Sequence, residues 1–197
     1  MTVVSRETTE RLDHYARLIE KWNPKINLVA RSTLQDISDR HIRDSAQLAA
    51  LIGAAEGKWL DLGSGGGLPG LVATIHYADQ PVDFHLVESD QRKATFLRTC
   101  IRELGLARVT IHSARIESLI PAAADIVSAR ALAPLPLLMS YVERHLKQGG
   151  TAWLMKGENW RDELRDAEAH WRFRHVAHPS QTQKNAAILE VSDISHV

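Results

Sequence analysis

Cysteine is almost missing from this chain, which holds one, Cys100, in 197 residues. A single cysteine excludes an intramolecular disulfide and any zinc site built from a cysteine cluster, and no metal is expected. Excess charge is missing too, because 24 basic residues balance 24 acidic ones. A neutral total excludes the broad attraction that drives non-specific nucleic-acid binding, so contact with a polyanion must come from local patches. No apolar run approaches the roughly 20 residues needed to cross a bilayer. Met1 to Glu10 carry charge and lack an apolar stretch, so no secretory signal is read there. The expectation is a cytoplasmic protein with no membrane partner. Nothing points to a coiled coil or an obligate interface, so a monomer is expected. Apolar material is plentiful at 44%, enough for the core of one ordinary domain.

Two regions follow one another without a low-complexity linker or an internal repeat. Residues 1–56 read as a helical N-terminal extension. Leu12, Tyr15, Ala16, Leu18 and Ile19 recur at helical spacing, and Trp22-Asn23-Pro24 is expected to end that helix. Ser32 or Thr33 is expected to cap a second helix running to Gly53. Residues 57–197 alternate strands with helices. Strands are expected at Trp59–Leu62, Asp83–Glu88, Arg108–His112, Asp125–Ala129 and Thr151–Met155. Helices are expected from Pro69 to about Ala78, Gln91 to Leu104, Pro134 to Leu146 and Trp160 to Ala169, with Gly149-Gly150 closing the third. Arg172–His178 and Ala186–Val191 are expected to pair as an antiparallel hairpin. Such alternation implies a mostly parallel sheet with right-handed crossovers.

Asp61-Leu62-Gly63-Ser64-Gly65-Gly66-Gly67-Leu68-Pro69-Gly70 stands between the first strand and its helix, the context of a nucleotide loop. Glycines serve there because the turn demands unusual backbone angles and a ligand must approach the main chain closely. Gly65, Gly67 and Gly70 satisfy the dinucleotide fingerprint, and Glu88 lies where a ribose-binding acid belongs. Either a dinucleotide or S-adenosylmethionine offers a ribose diol to that carboxylate. The overlapping pattern Asp61-x-Gly63-x-Gly65-x-Gly67 is typical of methyltransferases. An aspartate entering the loop also suits a cationic ammonium and sulfonium better than a pyrophosphate, which it would repel. S-adenosylmethionine is therefore the expected cofactor, on a Rossmann-like class I methyltransferase sheet of seven strands.

Trp22-Asn23-Pro24-Lys25-Ile26-Asn27-Leu28, Arg40-His41-Ile42-Arg43-Asp44-Ser45, the loop Asp61 to Gly70 and Ser128-Ala129-Arg130-Ala131-Leu132 together resemble the bacterial 16S ribosomal RNA guanine-N7 methyltransferases, also called glucose-inhibited division protein B. The resemblance spans nearly the whole chain. By motif position it implies cofactor contacts at Gly63, Leu68, Ile116, Glu117 and Arg130, with the ribose-side acid at Glu88. Asp61, Ser64, Gly65 and Gly67 complete the expected cofactor-binding set. Ala129 is a small departure, since many relatives read serine directly before the arginine. The resemblance also implies the substrate, one guanine of 16S rRNA in the small ribosomal subunit.

Guanine N7 carries an in-plane lone pair and no proton, so no general base is required. Enzymes acting on exocyclic amines commonly carry an Asn/Asp-Pro-Pro-aromatic turn after the fourth strand, where this chain reads Arg130-Ala131-Leu132-Ala133-Pro134. Cytosine-C5 chemistry needs a cysteine nucleophile, and Cys100 lies on an apolar helix face with Phe96, Leu97 and Leu104. Arg130 closes a strand where ligands bind in such folds, and pairing with the cofactor carboxylate, substrate positioning and a surface salt bridge all stay open for it. No catalytic residue is assigned. His41 and Asp44 read as structural or docking residues. Lys156 reads equally as a phosphate contact or a solvated lysine. RNA contacts are open among Arg40, Arg43, Arg92, Lys93, Arg161, Arg165, Arg172, Arg174 and Lys184, each weak by itself. Neutral charge favours an assembled, shaped target over naked RNA. A small-molecule methyltransferase and a non-catalytic cofactor-binding module are the alternatives.

Overall fold

Alternation along β1 (Gly57–Leu62) sets the architecture. Leu60 and Leu62 point to one face of the sheet and Trp59 to the other, and all three are buried. The computed structural model describes residues 5–197, so the first four residues of the Met1–Glu10 stretch lie outside it. Its seven strands are β1, β2 (Val82–Val87), β3 (Val109–His112), β4 (Ala124–Arg130), β5 (Leu146–Lys156), β6 (Trp171–Pro179) and β7 (Ala187–His196). They form one sheet in the order β3-β2-β1-β4-β5-β7-β6. All neighbours from β3 to β5 are parallel, and β7 runs antiparallel to both β5 and β6. This is the expected Rossmann-like α/β sheet, with helices on both faces.

The helices are α1 (Arg6–Ile26), α2 (Asp44–Ile52), α3 (Gly70–His76), α4 (Gln91–Glu103), α5 (Leu135–His145) and α6 (Trp160–Glu168). Leu135, Leu138, Met139 and Val142 of α5 pack on the Leu60/Leu62 face. Opposite them, Tyr15 and Ile19 of α1, Leu71 and Ile75 of α3 and Phe96 and Leu97 of α4 share a second core. Asp90 starts α4 by accepting hydrogen bonds from the backbone of Arg92 and Lys93. No helix among the described residues is long and apolar enough to cross a membrane.

Three local expectations are corrected. Pro24 lies inside α1, which runs on to Ile26 and ends at Asn27 in the left-handed conformation (φ 47°). One missing N–H near the end of a helix is tolerated there because buried Asn23 and Ile26, on either side, keep the last turn seated. Neither Ser32 nor Thr33 caps a long second helix. The segment breaks into a 3-10 turn at Arg31–Thr33 and a wide π-turn at Ser38–Arg43 before α2 begins. Gly149-Gly150 do not close α5, since β5 starts at Leu146 directly after it and contains both glycines. Leu146 and Thr151 pair with Ala124 and Ile126 of β4, and the glycines are carried between them in the register shift.

Candidate functional site

Because β1 leads to β2 and β3 on one side while β4 and β5 lie on the other, a crevice opens at the carboxyl ends of β1 and β4. Ligands of such sheets bind at this reversal. The glycine loop fills its floor. Ser64 N–H donates to the Val87 carbonyl (2.9 Å), and Gly65 N–H donates to Glu88 Oε2 (2.8 Å), which ties the loop to the end of β2. Glu88 Oε1 accepts from Asp90 N–H at 2.7 Å, so the carboxyl group is fixed from both sides. Gly63 must be glycine twice over. Its φ is +65°, and a Cβ there would stand 2.5 Å from Leu132 Cδ1.

Above this floor lies a cavity of about 570 Å³. Of the ten residues expected at the cofactor, eight line it: Gly63, Ser64, Gly65, Leu68, Glu88, Ile116, Glu117 and Arg130. Asp61 and Gly67 do not. Asp61 is fully buried on the Trp59 side of the sheet, where Oδ1 accepts from Ser128 Oγ (2.6 Å) and its backbone carbonyl accepts from Ser64 Oγ (3.1 Å). Burial is the main reason that its carboxyl is pushed up to about 6, against the opposing hydrogen bonds of Ser128 and Ser64. Its Oδ2 lacks a hydrogen bond and lies beside Gly70, where any Cβ would come within 2.5 Å. Gly67 faces Leu71 and the Tyr15 hydroxyl. Both residues support the loop from below.

Helix α5 braces the far wall. A backbone hydrogen bond first, and Tyr141 Oη donating to Oε1 (2.7 Å) second, hold the Glu117 carboxyl below its usual range. Fully buried His145 bonds the Ile116 carbonyl through Nε2 (3.1 Å).

The near wall comes from the N-terminal segment, whose role the sequence left undecided. Leu28, Val29, Ala30 and His41 all line the cavity. Buried Asn23 sets this wall, its Oδ1 accepting from Leu28 N–H (2.7 Å) and Val29 N–H (2.9 Å). Tyr15, fully buried in α1, donates its hydroxyl to the Gly66 carbonyl. Asp61 was expected at the cofactor, but strand alternation turns its side chain to the Trp59 face, below the loop. No local pattern announces Tyr15 or Leu28, whose partners lie far along the chain.

Arg130, at the end of β4, reaches back to the same segment. Its Nε lies 3.5 Å from Asp44 Oδ2, and its Nη2 donates to the Arg40 carbonyl (3.2 Å) and to His41 Nδ1 (2.9 Å). An arginine only donates, so His41 Nδ1 must accept and Nε2 must carry the proton, which it gives to Thr33 Oγ1 (2.7 Å). Thr33 in turn donates to the Ala30 carbonyl (2.8 Å). Burial first, and the Arg130 charge second, push the His41 imidazole down to about 4. Asp44 also accepts from Thr182 and Gln47, so one carboxylate joins β4, α2 and the β6–β7 turn.

Beyond the turn Arg130–Ala133 a second cavity, of about 460 Å³, opens beside the first. Lys156 and Glu163 line it as an ion pair at 2.6 Å, with the lysine only 9% exposed. Lys156 is thus buried and paired, and not the solvated lysine that the sequence had left open. Among the other cations considered, Arg43, Arg92, Arg165 and Arg174 pair with Asp39, Asp90, Asp162 and Asp193. Arg161 lies over the Trp160 ring. Arg40, Lys93, Arg172 and Lys184 make no ion pair among the described residues, and Lys93 lines the first cavity. Cys100 is fully buried and far up from the normal thiol range, as its burial requires.

A sequence model of one protein family, described as GidB: rRNA small subunit methyltransferase G, matches residues 8–191. A protein named ribosomal RNA small subunit methyltransferase G from Paracoccus denitrificans is 54% identical over 193 residues, covering 98% of both chains. Another of that name from Cereibacter sphaeroides is 52% identical over 98% of this chain and 94% of its own. Among solved structures, a mutant of MtNAS in complex with S-adenosylmethionine superposes with a TM-score of 0.63 at 17% identity, covering 94% of this chain and 75% of the other. A glycopeptide N-methyltransferase, MtfA, complexed with S-adenosylmethionine, gives 0.61 at 12% identity, over 77% and 93%. These two likenesses show the fold.

Proposed function

The chain belongs to the GidB family of small-subunit rRNA methyltransferases, and from that membership we propose that it methylates N7 of one guanine in 16S rRNA of the small ribosomal subunit, in the cytoplasm. It is an S-adenosylmethionine-dependent methyltransferase. The observation that carries the cofactor-binding assignment is the convergence of loop, strand ends and N-terminal wall on one cavity at the sheet's reversal.

That cavity fits the cofactor's chemistry. Leu28, Val29, Leu68, Ile116 and Leu132 give an apolar lining for an adenine ring. The Glu88 carboxyl oxygens, each holding one backbone N–H, keep a lone pair apiece for a ribose diol. Asp61 and Gly67 serve the binding set indirectly, by fixing the loop. When bound, S-adenosylmethionine supplies an electrophilic methyl group on a sulfonium, and the carbon–sulfur electron pair stays on sulfur as the methyl leaves.

The chain's own work is positioning, which for aligned reactants is worth roughly 7–11 kcal/mol of barrier. Arg130, fixed by Asp44 and His41, is the residue best placed to orient substrate, since it lines both cavities. His41 lines the first cavity with both ring nitrogens committed, and it is not poised to take a proton. An acceptor without a proton, such as guanine N7, suits that arrangement.

Transfer of labelled methyl to small subunits lacking the modification, followed by nucleoside mapping, tests the proposal. One labelled 7-methylguanosine supports it. Cofactor binding without labelled RNA overturns the acceptor and favours a small-molecule substrate.

A further inference from the structure

We propose that the second cavity is a guanine-reading pocket in which Lys156 and Glu163 hold the base by its O6/N1 edge. This rests on the acceptor proposed above. The two cavities share Arg130, Ala131, Leu132 and Ala133, so they meet at the turn after β4. A base seated in one therefore lies beside a ligand in the other.

The hydrogen-bond inventory of the pair gives the chemistry. Lys156 Nζ has three donors and uses two, one on Glu163 Oε2 (2.6 Å) and one on the Ala133 carbonyl (2.9 Å). Glu163 Oε2 also accepts from Leu135 N–H at 2.7 Å, which caps the start of α5. Oε1 has no partner among the described residues. One oxygen thus does the structural work while the other stays free. The pair presents a spare N–H beside a free carboxylate oxygen.

Guanine matches that order. Its O6 accepts, while the neighbouring N1–H and the 2-amino group donate. Adenine shows the reverse, a donor at N6 beside an acceptor at N1, and meets like against like. N7 lies on the opposite edge of the purine from N1, so reading this edge leaves N7 clear. Methylation at N7 places a positive charge on the ring and strengthens N1–H as a donor. Glu163 consequently favours the charge as it develops, which is the differential binding that catalysis requires. The cation beside it keeps the buried carboxylate from being an uncompensated charge.

The test uses the unaltered enzyme on small subunits reconstituted with RNA that carries guanine, inosine or 2-aminopurine at the modified position, all of which keep N7. Each rate is divided by that base's reaction with dimethyl sulfate. Inosine, which retains O6 and N1–H, is expected within about tenfold of guanine, and 2-aminopurine to fall about 100-fold, as base-edge contacts predict. Glu163→Gln is expected to lose about 10- to 100-fold in kcat/KM on guanine while S-adenosylhomocysteine affinity stays within about twofold. Equal rates on 2-aminopurine and guanine overturn the pocket, as does a folded Glu163→Gln enzyme of undiminished rate. If the variant fails to fold, the purine series alone decides. If subunits carrying guanine are not methylated, the acceptor assignment falls and the pocket with it.

Discussion

Arg130 Nη2 and His41 Nδ1 are 89 residues apart in sequence and 2.9 Å apart in space. The bond requires a neutral imidazole, because a protonated Nδ1 would set two cations face to face. It joins the end of β4 to the segment that walls the first cavity.

A pH dependence follows. The fold lowers the His41 pKa from 6.5 to about 4, so the unfolded chain binds the extra proton first as pH falls. The stability that His41 contributes is full above about pH 6.5 and is lost progressively towards pH 4. His41→Gln should therefore narrow the drop in Tm between pH 7 and pH 5. Parallel Tm curves for both proteins would show that this imidazole carries no such coupling.

Removing one hydroxyl should loosen the glycine loop. Tyr15→Phe leaves the buried Gly66 carbonyl without its donor, a loss of about 1–3 kcal/mol. For a chain of this size each kcal/mol lowers Tm by roughly 2–4 °C. Calorimetric titration with S-adenosylhomocysteine should show binding weakened severalfold. Unchanged affinity would mean that the loop holds its shape without α1.

At Gly63 any side chain meets both a positive φ and the Leu132 methyl. Gly63→Ala is expected to weaken S-adenosylhomocysteine binding more than about tenfold, since left-handed backbone alone costs roughly 1–2 kcal/mol. Adding Leu132→Ala should recover part of the loss by removing the clash. No recovery would place the whole penalty in the backbone.

Cys100 should behave as a core residue. Burial holds its thiol protonated, so iodoacetamide should label it only when the protein unfolds. Cys100→Ala should keep methyl transfer and lose about 1 kcal/mol of stability, the scale of one buried methylene. Loss of activity in a stable variant would return a cysteine nucleophile to consideration.

The parts of the fold and site that could be read in the sequence are those whose cause is local. Strand, loop and helix from Trp59 to His76 follow from alternation, glycine spacing and Pro69. Arg130 was expected at a strand end and lies there. Where a distant partner decides, local signals fail. Gly149 and Gly150 read as a stop, yet β5 carries them between residues that pair with β4. The helix that Pro24 was expected to close ends at Asn27. The near wall of the cavity depends on the Asn23 carboxamide and on Tyr15, whose hydroxyl finds its acceptor 51 residues later. Periodicity marks such side chains only as buried.

The position of β7 ties the far edge of the sheet to the site. It follows β6 in sequence yet lies between β5 and β6, so β6 joins the sheet only through β7. The β6–β7 turn also supplies the partners of Asp44, which holds Arg130. The glycine loop and both walls of the first cavity come from earlier segments, but the Asp44 carboxylate that faces Arg130 is completed by Thr182 in that turn. Contacts between such distant parts of a chain form slowly. Asp44 should therefore gain its full set of partners only once β6 and β7 have paired.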